Sequence, residues 1–279
     1  MARLKVGVLI SGRGSNLQAL IDACAAPGFP AEIALVLSNR ADAGGLQRAQ
    51  EAGIATAVVP HRDFAERPLF DAAVDKVLRD AGIELVCLAG FMRVLGDAFV
   101  EGWRDRLINI HPSLLPAFPG LHTHERALET GVRFTGCTVH YVRTAVDDGP
   151  IIIQAAVPVL PSDDADSLAD RVLTAEHRAY PLALRLIAEG RIKVVGNRAE
   201  VEGSYAAPGI ALNPPDGPRA GRLPSVIPNS TTRKLRATPM ASDFDMRAHR
   251  QTWNGFVVFM KWSIGIVVVT LGGMAYFLL

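Results

Sequence analysis

The chain alternates short apolar, β-branched runs with segments whose apolar residues recur at helical spacing. Lys5 to Ile10, Ala31 to Leu37, Ala55 to Val59, Leu85 to Ala89, Leu107 to His111, Phe134 to Tyr141 and Ile151 to Val159 read as strands. Between them, Leu17, Leu20 and Ile21 open one helical pattern, Gly45 to Ala52 carries a second, and a third runs from near Arg67 to near Gly82. Pro68 is tolerable in the first turn of that third helix. A helix follows His122 through Thr130, and Ser167 to Glu189 forms a long amphipathic one. Leu168, Val172, Leu173, Leu182, Leu186 and Ile187 are its expected core face, and Pro181 should kink it. Lys193 to Val201 suits a last small hairpin. Leu85 to Ala89 is apolar throughout, as expected of a parallel strand covered on both faces. The pattern predicts an α/β fold: a doubly wound, mainly parallel sheet with helices on both faces and its site at the strand carboxyl ends.

After Gly203 the character changes. Residues 204–240 are rich in Pro, Gly, Ser and Arg with little apolar periodicity, and read as a disordered linker. Trp262 to Leu279 is a run of eighteen residues without charge, and extended back to Gly255 it reaches the length of a transmembrane helix. Trp253 and Trp262 suit the membrane interface, and Lys261 can snorkel. Basic residues from Arg219 to Arg250 lie on the N-terminal side of the span, which puts that side in the cytoplasm and the helix in the inner membrane. The expected organisation is a catalytic domain over 1–203, a linker over 204–240 and a single-span tail over 241–279.

Composition changes this picture little. A net charge of +1 over 279 residues supplies no global field for nucleic acid. Cys24, Cys87 and Cys137 are odd in number, widely spaced and set in or beside apolar runs, which suits reduced thiols in a core. Met1 runs almost directly into a strand, with no signal-peptide pattern.

The chemistry concentrates at strand ends. Asn109 and His111 are two apart, so on a strand they share a face; one is a neutral amide, the other titrates near neutral pH. Two prolines, Pro112 and Pro116, then turn the chain away, and Leu115-Pro116 is a candidate cis bond. Ser11-Gly12-Arg13-Gly14-Ser15-Asn16 joins a strand to a helix. The amides of Gly14, Ser15 and Asn16 suit a phosphate there, although an ordinary tight turn has the same spacing. Neither a dinucleotide fingerprint nor a P-loop is present. Gly90 to Leu95 is an apolar loop with one Arg, able to line a flat pocket. His111, His122 and His124 lack a matched carboxylate or cysteine set, and no metal is expected.

These segments occur in a fixed order: Ser11 to Leu17, Leu88 to Leu95, Asn109 to Pro116, Pro119 to His124 and Asp147 to Ile151. Together they closely resemble phosphoribosylglycinamide formyltransferase over about residues 3 to 200. The resemblance implies a formyltransferase, Rossmann-like fold and formyl transfer from 10-formyltetrahydrofolate to the amine of glycinamide ribonucleotide, in purine synthesis. It implies His111 as proton donor and oxyanion partner, Asn109 as a second donor to that oxygen, and Asp147 as the partner of His111. It also places Gly14, Ser15, Asn16 and Glu176 on the ribonucleotide, and Arg67, Met92, Arg93, Val94, Leu95 and Asn109 on the folate. Asp148 stands where many relatives carry a small residue.

The tail resembles a second family, the single-span subunit IV of bacterial cytochrome c oxidases, through Phe244 to Phe256 and the apolar run after it. That likeness implies an oxidase complex as partner and leaves the tail outside the formyl chemistry. Two enzymes of related fold compete with the first resemblance. Formyltetrahydrofolate deformylase usually carries an extra N-terminal domain, for which a strand starting near Leu4 leaves no room. Methionyl-tRNA formyltransferase needs a C-terminal RNA-binding domain, for which this tail offers no folded basic module. A membrane-anchored oxidase accessory protein is the reading from another class.

Overall fold

A computed structural model describes residues 2–202. The chain runs β1 (Leu4–Ile10), α1 (Ser15–Ala25), β2 (Ala31–Ser38), α2 (Gly44–Glu51), β3 (Thr56–Val58), α3 (Arg67–Asp80), β4 (Leu85–Leu88), α4 (Asp97–Gly102) and β5 (Leu107–His111). It continues α5 (Thr123–Thr130), β6 (Phe134–Tyr141), β7 (Ile151–Pro158), α6 (Ala165–Ala188), β8 (Ile192–Val195) and β9 (Arg198–Val201). Seven strands form one sheet in the order β3-β2-β1-β4-β5-β6-β7, and β8 and β9 pair as a hairpin. The first five of these are parallel neighbours, whereas β6 pairs antiparallel with β5 and with β7. The expected doubly wound, mainly parallel sheet is present.

The strands form where they do because their side chains are covered on both faces. β4 is buried along its whole length, and one apolar layer runs from Val6, Val8 and Ile10 to Tyr180 and Leu184 of α6. A second layer on the other face joins Leu9, Leu37 and Val86 to Phe70, Val74 and Leu78 of α3 and to Trp103. Each fully buried aliphatic side chain contributes about 1.5–3 kcal/mol relative to exposure. All three cysteines are buried in the first layer, and burial pushes the Cys24 thiol up to about 11.

One element was not foreseen, and one expectation needs correction. Residues 97–102 form a helix that six residues are too few to announce by periodicity. Leu182 is 48% exposed, because the buried stripe of α6 runs through Leu168, Val172, Glu176, Ala179, Tyr180, Ala183 and Leu184 and leaves position 182 off it. The helix continues through Pro181 as one element.

Among the described residues no helix is long and apolar enough to cross a membrane. The expected linker over 204–240, the span over 241–279 and its oxidase likeness all lie outside the described residues.

Candidate active site

The strand order reverses between β1 and β4, the place where open α/β sheets take ligands. Several of the predicted site residues sit at or just past the carboxyl ends of the strands around it, while Glu176 lies on α6 and Arg67 opens α3. Asn109 and His111 lie on one face of β5, and His111 is buried. Asp147 comes from the loop between β6 and β7, and its Oδ2 lies 3.4 Å from His111 Nδ1, with both side chains nearly covered. The other ring nitrogen, Nε2, lies 2.9 Å from the carbonyl of Phe118. A carbonyl only accepts, so Nε2 carries a proton, and Nδ1 is the nitrogen turned to the carboxylate. Gly120 N–H donates to Asp147 Oδ2 at 2.8 Å. Asp147 itself holds a left-handed backbone, φ 55°, a conformation kept where surrounding contacts over-determine it.

His140 joins this group, and sequence reasoning gave it no role. It stands directly opposite Asn109 in the antiparallel pairing of β5 and β6. Its Nδ1 lies 3.0 Å from the Tyr141 carbonyl and so carries the ring proton. Its Nε2 is then bare, 3.3 Å from Asn109 Nδ2 and 3.8 Å from Asp147 Oδ1. Burial pushes His140 below the ordinary histidine range, against the opposing pull of the Tyr141 carbonyl and Asp147. A neutral ring accepts from Asn109 and leaves the second amide N–H of Asn109 free to donate elsewhere. The signal that would have found His140 is strand register, and register across the residue 112–133 connection is not written in the sequence.

The turn after His111 is fixed by Thr138 and Gln154. Thr138 Oγ1 donates to the Ser113 carbonyl at 2.7 Å and accepts from Leu115 N–H at 3.0 Å. Gln154 Nε2 donates to the Leu115 carbonyl at 2.8 Å. The Leu115-Pro116 bond is cis, as the sequence suggested.

The glycine loop lies at the start of α1. Gly14 has φ 74°, and a Cβ there would approach Gly45 Cα to 2.7 Å. The two backbones meet because neither carries a side chain, and Gly45 N–H donates to the Gly12 carbonyl at 3.0 Å. Asn16 and Glu176, far apart in sequence, meet at 2.7 Å through Asn16 Nδ2. Burial pushes the Glu176 carboxyl up, while the Asn16 bond pulls it down.

On the other side of β1 lies the Gly90–Leu95 loop. Met92, Arg93 and Val94 are exposed, but Leu95 is buried with Phe91 in the second layer. Leu95 therefore anchors the loop instead of lining an open pocket with its side chain. Arg67 sits at the start of α3 beside the loop's end, where Asp71 Oδ2 accepts from Gly96 N–H at 2.8 Å. His122 is exposed and does not join His111. Among the described residues no three His, Cys, Asp or Glu side chains gather as metal ligands would.

A fold of this topology, with an amide, an imidazole and a carboxylate gathered at the end of β5, defines a class, and comparison with known proteins agrees. Residues 4–184 match the formyl transferase family model, and the chain belongs to the formyl transferase family. Within it, the chain is similar to the phosphoribosylglycinamide formyltransferases. It is 46% identical over 205 residues to the phosphoribosylglycinamide formyltransferase of Escherichia coli (strain K12), covering 74% of this chain and 97% of that protein. It is 56% identical over 195 residues to the trifunctional purine biosynthetic protein adenosine-3 of Drosophila pseudoobscura pseudoobscura, covering 69% of this chain. The chain spans about a seventh (14%) of that longer relative. Glycinamide ribonucleotide transformylase 1 from Symbiobacterium toebii superposes with a TM-score of 0.70 at 49% identity, covering 71% of this chain and 94% of that one.

Proposed function

We propose that this protein transfers the formyl group of 10-formyltetrahydrofolate to the amine of 5'-phosphoribosylglycinamide, giving formylglycinamide ribonucleotide and tetrahydrofolate. The observation that carries the reading is the buried approach of His111 Nδ1 to Asp147 Oδ2 at 3.4 Å, with Asn109 on the same strand face. The substrate amine attacks the formyl carbon, a C–N bond forms, and the carbonyl oxygen becomes an oxyanion. The His111 ring, with Nδ1 turned toward Asp147, and the free N–H of Asn109 are the groups proposed to meet that oxygen. The bond from the carbon to folate N10 then breaks; the attacking nitrogen gives up one proton and N10 takes one up, a transfer that the His111–Asp147 pair is placed to relay. Donors fixed before charge develops cost no reorganisation, and one such donor is worth about 3 kcal/mol. No covalent enzyme intermediate is needed, which is consistent with buried, unactivated cysteines.

The Gly14, Ser15 and Asn16 amides, at the positive end of α1, are proposed to hold the ribonucleotide phosphate. Glu176, reached by Asn16, is proposed to contact the rest of that substrate. Arg67, Met92, Arg93, Val94, the backbone of Leu95, and Asn109 are proposed to form the folate side. For the tail, we propose a linker over 204–240 and a single membrane span within 241–279, taking no part in the chemistry; the support is the Pro- and Gly-rich composition of the first and the uncharged run Trp262 to Leu279 of the second.

The test is formyl transfer by the full chain beside His111→Ala. The expected result is product formation by the parent and a fall in kcat on the order of 10²–10³ in the variant, with unchanged folding. The rival is water in place of the amine: the formyltetrahydrofolate deformylase of Pseudomonas syringae pv. tomato str. DC3000 superposes with a TM-score of 0.67 at 27% identity. Loss of the formyl group from folate without formylated nucleotide would select that rival.

A further inference from the structure

Four adjacent strands, β3, β2, β1 and β4, end in a hydrogen-bonded chain that the reaction as described does not use. Ser11, just past β1, accepts from Met92 N–H at 2.8 Å and donates to Asn39 Oδ1 at 2.6 Å. Asn39 follows β2, and its Nδ2 lies 3.2 Å from Nδ1 of His61, in the turn after β3. The Ser11 N–H adds a bond to the Gly90 carbonyl at 3.2 Å. Ser11 and Asn39 are only 6% and 3% exposed. The hydroxyl therefore works away from bulk water, with its proton and one of its two lone pairs committed.

The place matters as much as the bonds. Ser11 sits at the reversal of strand order between β1 and β4, and two loops leave from there: the glycine loop through Asn16, and Gly90–Leu95. Met92 and Val94 stand out into solvent, so their own side chains do not fix the loop. Its attachments are the Ser11 hydroxyl on Met92 N–H and the Ser11 N–H on the Gly90 carbonyl at the start, the Asp71 carboxylate on Gly96 N–H at the finish, and the buried Phe91 and Leu95. Removing the Ser11 hydroxyl leaves a peptide N–H and an amide oxygen unpaired. That penalty is relieved most easily by letting the exposed loop move.

We propose that Ser11 is a positioning residue that holds the Gly90–Leu95 loop in its folate-binding shape, with Asn39 as its anchor. The proposal rests on the formyl-transfer reading for the identity of the loop's ligand. Ser11 touches neither substrate; it acts through the Met92 backbone. Its removal therefore loosens folate binding selectively and spares the ribonucleotide side.

The experiment uses the full chain and four variants: Ser11→Ala, Asn39→Leu, the double variant of these two, and Asn39→Asp, which keeps an acceptor for the hydroxyl. Affinity for 10-formyl-5,8-dideazafolate is measured by calorimetry, with KM for both substrates, kcat and Tm alongside. In Ser11→Ala the analogue's Kd and the folate KM should rise about ten-fold, while the ribonucleotide KM moves less than about three-fold. Asn39→Leu should match it, the double variant should be no worse than either single, and Asn39→Asp should stay near the parent. A folded Ser11→Ala with unchanged folate affinity would overturn the proposal, as would equal losses for both substrates. A parent that binds the analogue yet forms no formylated nucleotide would sink the transfer reading alone. A parent that fails to bind the analogue would sink both.

Discussion

At the scale of single residues, burial decides what each titratable group does. His140 is 1% exposed and desolvation holds its pKa below the ordinary 6.5. His124 and His177 are shifted the same way, again chiefly by burial. In the unfolded chain these rings take up protons as pH falls through about 6.5; in the folded protein they resist until lower pH. The unfolded state thus binds more protons across that window, and stability falls as pH drops below about 6.5. Glu176, raised above 4.5 by burial, has the opposite sense: its contribution falls as pH rises from 4.5 toward its folded value. A pH series of thermal melts from 7.5 to 5.5 should show Tm falling on the acid side. His140→Gln should flatten that fall, and the parent-to-variant difference removes the Glu176 contribution. The same variant loses the bare nitrogen that receives Asn109, so kcat should also drop about ten-fold or more, read in the formyl-transfer assay. Asn109 and His111 were legible as a pair because strand periodicity alone places them on one face. His140 was not, because its place beside Asn109 depends on which residue of β6 stands opposite β5.

At the scale of elements, the glycine loop shows how two segments determine each other. Gly14 needs its left-handed φ and also the absence of a side chain on Gly45, whose own Cβ would meet Ile10 Cδ1 at 2.6 Å. Gly14→Ala should therefore cost about 1–2 kcal/mol for its backbone alone, with more from the contact with Gly45. The expected outcome is a lower Tm and a raised KM for the ribonucleotide, with the folate KM changed much less. Gly149 is a second such point, closing the Asp147 loop where a Cβ would collide with the Tyr141 carbonyl. Gly149→Ala should displace Asp147 and lower kcat, whereas a substitution at the exposed neighbour Asp148 should not; steady-state kinetics of Gly149→Ala and Asp148→Ala check this. The buried parallel strands were legible from their continuous apolar runs. The short helix α4 was not, because six residues carry too little periodicity. The exposure of Leu182 was missed because an apolar residue one position off the stripe still reads as core.

At the scale of the whole molecule, residues 2–202 close two apolar layers around one sheet, and the proposed site uses no residue beyond them. A chain ending at residue 202 should therefore keep its kcat within about two-fold and its Tm within a few degrees of the full protein. A loss of turnover on truncation would give the tail a role in the chemistry.

The alternation of strands and helices, the burial of the cysteines, the strand face shared by Asn109 and His111, and the family likeness can all be read from the order of residues. Those follow from local spacing, because a strand repeats every two residues and a helix every 3.6. Folding across the sheet brings Asp147 to His111, as the family likeness implied, and it alone joins Asn16 to Glu176, sets Asn109 against His140, and lets Ser11 tie Met92 to Asn39. Each of these joins segments far apart in the chain. Their meeting is set by strand order and register, which arise from packing the two layers together and not from any local pattern of residues.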